Sequence, residues 1–404
     1  MATRGSRYAE VEPLVRRIIA DVRRRGDRAL RKYAEQWDRL SPQESFRVSE
    51  DEIQAEWKAA APELKASLRA AAANIRRFCE WQAPVEWTRT RKGITVGQIA
   101  RPLDSVGCYI PGGRYPLVST LLMTVIPAQV AGVKSIAVAC PRPSLEILGV
   151  TAYLDVFDAG GVFRMGGAQA IAALAYGTET VPKVDRIVGP GNRYVAAAKK
   201  MIAGETGIDF IAGPTEIVII ADEGSPAHLA ADMLAQAEHD VDASAILLTT
   251  SRSLAEEVAG EIERQLATLP TVAVSGEAIR RGSAIVLFEH LEQAIDFANE
   301  LAPEHLALHD PSLLPAVRHA GSVFLGPGSP EAAGDYASGP NHVLPTAGAA
   351  RLRGGLSAAD FVKVISVQEL SPSALQQLAP AITRLARAEG LEAHARSVEV
   401  RLHG

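Results

Sequence analysis

The chain has 404 residues, 47% hydrophobic and 22% charged, with a formal net charge of −5 at pH 7. That is the composition of a globular protein long enough for two or more domains, and it excludes a fibre or a largely disordered chain. Lys and Arg are interspersed with Asp and Glu, so no basic footprint points to nucleic acid or an anionic membrane; the expected partner is a small molecule. Cys79, Cys108 and Cys140 form no paired framework and no CxxC, and the opening M-A-T-R-G-S-R has no apolar segment. Both features imply a reducing cytoplasm. No apolar run reaches the roughly 20 residues a membrane helix requires.

The first hundred residues read as helical. Leu14, Ile18, Ile19 and Val22 fall at helical spacing over 11–24, Gly26 stops that helix, and 29–37 resumes it. Residues 63–81 are a second amphipathic segment, and both are expected to be a packing layer. After Ile94 the apolar period changes to two, leading to a strand at 106–110 that runs into Pro111-Gly112-Gly113. Strand and helix then alternate. Helices are expected at 118–133, 145–153, 168–176 and 193–202, and strands at 135–140, 162–165, 185–188, 208–212 and 216–221. A second block places strands at 244–248 and 284–288 and helices at 254–267 and 291–301. The alternation predicts an α/β fold of two Rossmann-like parallel-sheet units, one inserted in the other, with a helical N-terminal layer and a small C-terminal segment.

Three strand ends are rich in glycine: Tyr109-Ile110-Pro111-Gly112-Gly113, Met165-Gly166-Gly167-Ala168-Gln169 and Val188-Gly189-Pro190-Gly191-Asn192. Each precedes a helix N-terminus, where backbone can approach a phosphate, and open parallel sheets bind ligands beyond their carboxyl ends. A dinucleotide suits such turns. None is a GxGxxG, however, and tight turns need glycine for geometry alone.

The stretch 225–240 begins with Ser225 as a helix cap and Pro226 at the first helical position, with Leu229, Met233 and Ala237 as its apolar stripe. Gln236 and His239 are three apart, which on one helix face separates their Cβ atoms by roughly 5–6 Å, enough to chelate one ion. Equally, they could form a solvated last turn. Glu304 and His305 adjoin a strand at 305–308, where neighbouring side chains point to opposite sides unless the chain bends. Residues 326–346, rich in Gly and Pro yet carrying Asp335, Tyr336, Asn341 and His342, read as a binding loop. Glu389-Gly390-Leu391-Glu392-Ala393-His394 follows a long helix at 373–388.

In this order, Y-I-P-G-G, G-G-A-Q-A-I-A-A-L-A-Y-G-T, G-P-G-N, A-G-P-T-E-I, Q-A-E-H-D, P-E-H-L, G-D-Y-A-S-G-P-N-H-V-L-P-T and E-G-L-E-A-H resemble the histidinol dehydrogenase family, from about Val11 to the C-terminus. The resemblance implies oxidation of L-histidinol to L-histidine through the aldehyde, in histidine biosynthesis, with two NAD+ and one zinc ion per subunit. It places the metal on Gln236, His239, Asp335 and His394, and the acid/base pair on Glu304 and His305. NAD falls on Tyr109, Gln169 and Asn192. Substrate contacts fall on Ser119, Thr215, His342 and Glu389, on the four metal ligands and on His305. It further implies a homodimer whose C-terminal segment, with His394, completes the partner's site. The expected domains are 1–108 with 217–356, an inserted NAD-binding domain at 109–216, and a C-terminal helical dimerisation segment at 357–404.

Arg114-Tyr115 stand where many members carry small residues, and Thr215 where some carry Ser. An alternative reading is therefore a paralogous NAD-dependent dehydrogenase of another small alcohol, anionic or sulfonated, with Arg114 reading the anion. A further alternative is a metal-dependent hydrolase in which Gln236, His239, Asp335 and Glu304 position a water. Cys108 is better read as a core residue than as a thioester nucleophile.

Overall fold

The computed structural model describes residues 9–112, 116–211 and 213–402. Arg114 and Tyr115 lie outside the described residues. Contacts divide the chain into two units, 1–82 with 103–361 and 83–102 with 362–404.

The first helix, Glu12–Arg25, buries Val15, Ile18, Ile19 and Val22 and stops at Gly26, whose φ is 51°. Asp27–Tyr33 and Pro62–Gln82 follow as expected. Glu50–Ala59, capped by Ser49, is a helix the sequence does not announce, because Ile53 is its one fully buried residue. Lys92 and Gly93, with φ of 52° and 76°, turn β1 (Trp87–Arg91) onto β2 (Ile94–Pro102) as an antiparallel hairpin.

β3 (Ser105–Tyr109), β4 (Ser135–Ala139), β5 (Gly160–Phe163), β6 (Arg186–Val188) and β7 (Gly207–Ile208) form a parallel sheet in the order β5-β4-β3-β6-β7. β8 (Glu216–Ile220), β9 (Ser244–Thr249), β10 (Ala284–Leu287), β11 (His305–Leu308) and β12 (Ser322–Leu325) form another, in the order β10-β9-β8-β11-β12. Each sheet grows from a central strand to one edge and then reverses, between β3 and β6 in one and between β8 and β11 in the other. Crossover helices cover both faces, so the central strands are continuous apolar runs: β8 is buried throughout. β13 (Val362–Leu370) pairs antiparallel with β2 along its whole length, and the helices Pro372–Ala388 and Glu392–Glu399 end the second unit.

The α/β class and the two parallel sheets agree with the sequence reading. The sheets follow one another, 105–208 and then 216–325. Val15, Ile18 and Val22 share a core with Ile171 and Leu174 of the first sheet's layer. The hairpin at 83–102 belongs with the C-terminal residues because β13 completes its sheet. Among the described residues, no helix is long and apolar enough to cross a membrane.

The turn after β6 is built around a buried ion pair. Gly189 has a φ of 110°, and a Cβ there would lie 2.1 Å from the Tyr109 carbonyl oxygen, so only glycine fits. Behind it, Lys199 Nζ donates to Gly189 O at 2.5 Å and to Asp209 Oδ1 at 2.6 Å, while Asp209 Oδ2 accepts from Gly189 N at 2.8 Å. Both side chains are almost wholly buried. Removing one partner of such a pair strands the other charge and costs about 3–5 kcal/mol. Lys199→Met is therefore expected to lower the unfolding free energy in urea by that amount. A loss within the roughly 1 kcal/mol of an exposed pair would contradict the role given to the ion pair.

Candidate active site

The amino ends of β8 and β11 lie side by side, with His305 opposite Ile217. Thr215 and Glu304 immediately precede these strands. The helix Pro226–Ala237 leaves the carboxyl end of β8 and runs back, which delivers Gln236 to the same amino edge. Pro226 occupies the first helical position as expected. The Ser225 side chain, however, makes no capping bond; its carbonyl accepts from His228 and Leu229 N–H instead. Because the helix ends at Ala237, His239 stands beyond it in a bend and does not share its face with Gln236.

Local backbone explains how Glu304 and His305 meet. Ala302, with a φ of 50°, ends the helix Leu291–Leu301 and turns the chain. Both side chains are then buried on one side, with Glu304 Oε2 3.8 Å from His305 Nδ1. Segment 326–346 is not all loop. Pro330 leads into the short helix Glu331–Tyr336, which sets Glu331 and Asp335 four apart on one face.

A continuous chain of polar contacts results. Thr215 Oγ1 lies 2.5 Å from Glu304 Oε2, and Glu216 N donates to that oxygen at 3.0 Å. The Gln236 amide lies 2.6 Å from Thr215 Oγ1 on one side and 2.5 Å from Glu331 Oε1 on the other. Glu331 Oε1 is in turn 3.1 Å from His305 Nδ1. The amide orientation follows the Glu331 proton. Facing a carboxylate, the amide nitrogen donates to Glu331; facing a protonated carboxyl, it donates to Thr215 while its oxygen accepts from Glu331. Burial, reinforced by the charges of Asp335 and Glu304, pushes Glu331 well above the ordinary carboxyl range, towards its protonated form.

Burial also sets the other two ionisations. It raises Glu304 to about 8, against the Thr215 and Glu216 hydrogen bonds that favour the ionised form. It pulls His305 down to about 4, so this imidazole is neutral at pH 7 although Asp335 favours its charge. His305 Nε2 is buried without a hydrogen-bond partner and lies 3.8 Å from Asp335 Oδ1. For Asp335, burial acts upward, but the His239 hydrogen bond and the surrounding histidines hold the carboxyl below its usual range. His342, lowered by burial, donates Nδ1–H to the Asp335 carbonyl at 2.7 Å and meets Thr120 Oγ1 at 3.3 Å through Nε2.

These donors fit a divalent cation. His239 Nε2 and Asp335 Oδ2 are 3.8 Å apart, close to the roughly 3.4 Å between two ligands of a tetrahedral zinc. His305, Glu331 and Asp335 also present donors within 4.8 Å of one another. Gln236 is at the site, its amide set between Thr215 and Glu331. His394 and Glu389 are exposed in the second unit, and Ser119 is half-buried near the start of the helix Val118–Ala131.

The three expected cofactor residues stand at or just beyond the carboxyl ends of β3, β5 and β6 in the first sheet. Tyr109 is buried, its hydroxyl accepting from Gly167 N at 3.1 Å. Gln169 is buried too, its amide donating to Asp38 at 3.1 Å, and Asp38 also accepts from Gly166 N. Asn192 is exposed and caps the helix Arg193–Ile202 through Tyr194 and Val195 N–H. Tyr109 and Gln169 therefore shape the turns from within. Burial pushes the Cys108 thiol up to about 12, which leaves it inert as a nucleophile. Two buried carboxyls at these positions, Glu331 and Asp38, escape the sequence reading. Glu331 carries a visible signal, a Ser-Pro helix start with carboxylates at i and i+4, whereas Asp38 carries none because its partners lie more than a hundred residues away.

A family model described as histidinol dehydrogenase matches residues 1–402. The chain is 49% identical over 405 residues to the histidinol dehydrogenase of Geobacter metallireducens, covering 98% of this chain and 92% of that one. It is 50% identical over 392 residues to that of Geobacillus kaustophilus, covering 95% and 92%. The crystal structure of histidinol dehydrogenase from Elizabethkingia anophelis matches with a TM-score of 0.93 at 39% identity, over 97% of this chain and 92% of that one. With sequence and structure agreeing over nearly its whole length, the chain belongs to the histidinol dehydrogenase family of oxidoreductases.

Proposed function

We propose that the protein oxidises L-histidinol to L-histidine through the aldehyde, with two NAD+ used in sequence and one zinc ion per subunit, as the closing steps of histidine biosynthesis in the cytoplasm. The observation that carries this reading is a neutral, buried His305 with a bare Nε2 beside a buried carboxyl, Glu304. Bound by Gln236, His239, Asp335 and His394, zinc would supply a redox-inert Lewis acid that grips the substrate imidazole and amine.

His305 Nε2 takes the hydroxyl proton as hydride leaves the carbinol carbon, giving the aldehyde. In the second half, Glu304 in its carboxylate form takes a proton from the water that attacks the aldehyde carbon, and hydride then leaves the hydrate. The Thr215 and Glu216 hydrogen bonds to Glu304 Oε2 steady the charge that this step requires. Ser119, Thr215, His342 and Glu389 complete the substrate contacts.

Tyr109, Gln169 and Asn192 border the carboxyl edge of the first sheet, where the strand order reverses between β3 and β6 and two helices begin. Such an edge suits a dinucleotide. A homodimer is supported by the second unit: β13 is exposed over nearly all its length, with Val364, Ile365, Val367 and Leu370 bare to solvent on a three-stranded sheet. In that dimer, the segment with Glu389 and His394 completes the partner's site.

The test is product stoichiometry with zinc-loaded protein, NAD+ and L-histidinol. Two NADH per histidine, abolished by a chelator and restored by zinc, is expected; no NADH from histidinol would contradict the reading. His305→Asn should slow alcohol oxidation by about 10²–10⁴-fold while zinc content stays at the wild-type level. Zinc loss in this variant would show that His305 does more than move a proton. Because Glu304 acts as a carboxylate, its basic form grows as pH rises through about 8, and aldehyde oxidation should rise with it. In Glu304→Gln that limb should vanish, and the aldehyde step should fall more than the alcohol step. Equal losses on both steps would remove the water-activation role.

A further inference from the structure

We propose that Glu331 is a positioning residue: it holds His305 in the Nδ1–H tautomer, leaving Nε2 as the atom that takes the substrate proton. The proposal rests on the reading of His305 as the base. Its starting point is the two nitrogens of one ring. Nδ1 lies 3.3 Å from the Glu216 carbonyl oxygen and 3.1 Å from Glu331 Oε1. A carbonyl can only accept, so the Nδ1 that faces it carries the hydrogen. Nε2 is then a bare lone pair, and it is the buried ring nitrogen that lacks a partner.

Glu331 and Asp335 sit one turn apart on the helix Glu331–Tyr336 and bracket the imidazole, one at each nitrogen. The ring is backed by Phe324, centroids 5.9 Å apart. A Cβ on Gly334 of the same helix would lie 2.6 Å from that phenyl ring, so the helix approaches closely only because residue 334 is glycine. Glu331 also meets the Gln236 amide, which ties the ring's orientation to the end of Pro226–Ala237. Without Glu331, Nδ1 keeps only longer contacts, to the Glu216 carbonyl at 3.3 Å and to Glu304 Oε2 at 3.8 Å. The Nε2–H tautomer, which puts a proton where a lone pair is needed, then gains population.

The test combines a spectrum with two variants of the zinc-loaded enzyme. In ¹⁵N-histidine-labelled wild type, His305 is expected to show a protonated Nδ1 and an unprotonated Nε2; a protonated Nε2 overturns the proposal, and this result stands even if a variant fails to fold. Glu331→Ala should lower kcat for alcohol oxidation by about 10–100-fold, as loss of an outer-shell partner does, while KM changes little. Glu331→Gln, whose amide oxygen can accept the Nδ1 hydrogen, should recover most of that rate. A Glu331→Ala rate close to wild type, or a loss that added zinc reverses, overturns the positioning role. If His305→Asn itself oxidises alcohol at the wild-type rate, the base reading fails, and the spectrum of the wild-type ring separates the two failures.

Discussion

Desolvation at the amino edge of the second sheet sets the ionisation of the groups gathered there. Two carboxyls and an imidazole are withdrawn from water where β8 and β11 meet. Charging any of them there is costly, so each shifts towards its neutral form. They are tolerated because they satisfy one another. Glu304, Thr215, Gln236, Glu331 and His305 form a chain in which each group meets the next, and the nitrogen left over, His305 Nε2, is the atom proposed to take the substrate proton. An imidazole that stays neutral at pH 7 is competent to accept a proton without first losing one.

The two parallel sheets share one strand order and are used at opposite ends. In the first, the glycine turns stand at the carboxyl edge, where the rule for open sheets places a ligand. In the second, the buried polar cluster stands at the amino edge. The helix between β8 and β9 has to run back before the next parallel strand, so its last turn returns to that edge with Gln236. Ala302 in its left-handed conformation and the short helix Glu331–Tyr336 bring the remaining groups to the same place.

Much of this was legible in the residues. Alternating periods gave the parallel sheets, and three helices, Leu145–Tyr153, Arg193–Ile202 and Leu291–Leu301, have the expected bounds because capping residues and apolar spacing agree there. The helix Glu50–Ala59 was hidden by its single buried residue, and β13 by its exposure, since a strand that buries neither face shows no alternation. Convergence of Glu304 with His305 could not be read from two neighbours in a strand, because it depends on the φ of Ala302. Glu331 lay in view within a segment that looked like loop. Its i,i+4 relation to Asp335 becomes meaningful only once Pro330 is seen to open a helix. The Asp38 contacts to Gly166 and Gln169 carry no local signal at all.

The most direct test of this account is the protonation of Glu304 itself, followed by infrared difference spectroscopy on metal-free protein. The account predicts a protonated-carboxyl band at neutral pH that disappears as pH rises through about 8 and is missing in Glu304→Gln. A Glu304 already ionised at neutral pH would contradict the claim that desolvation sets the chemistry of the site.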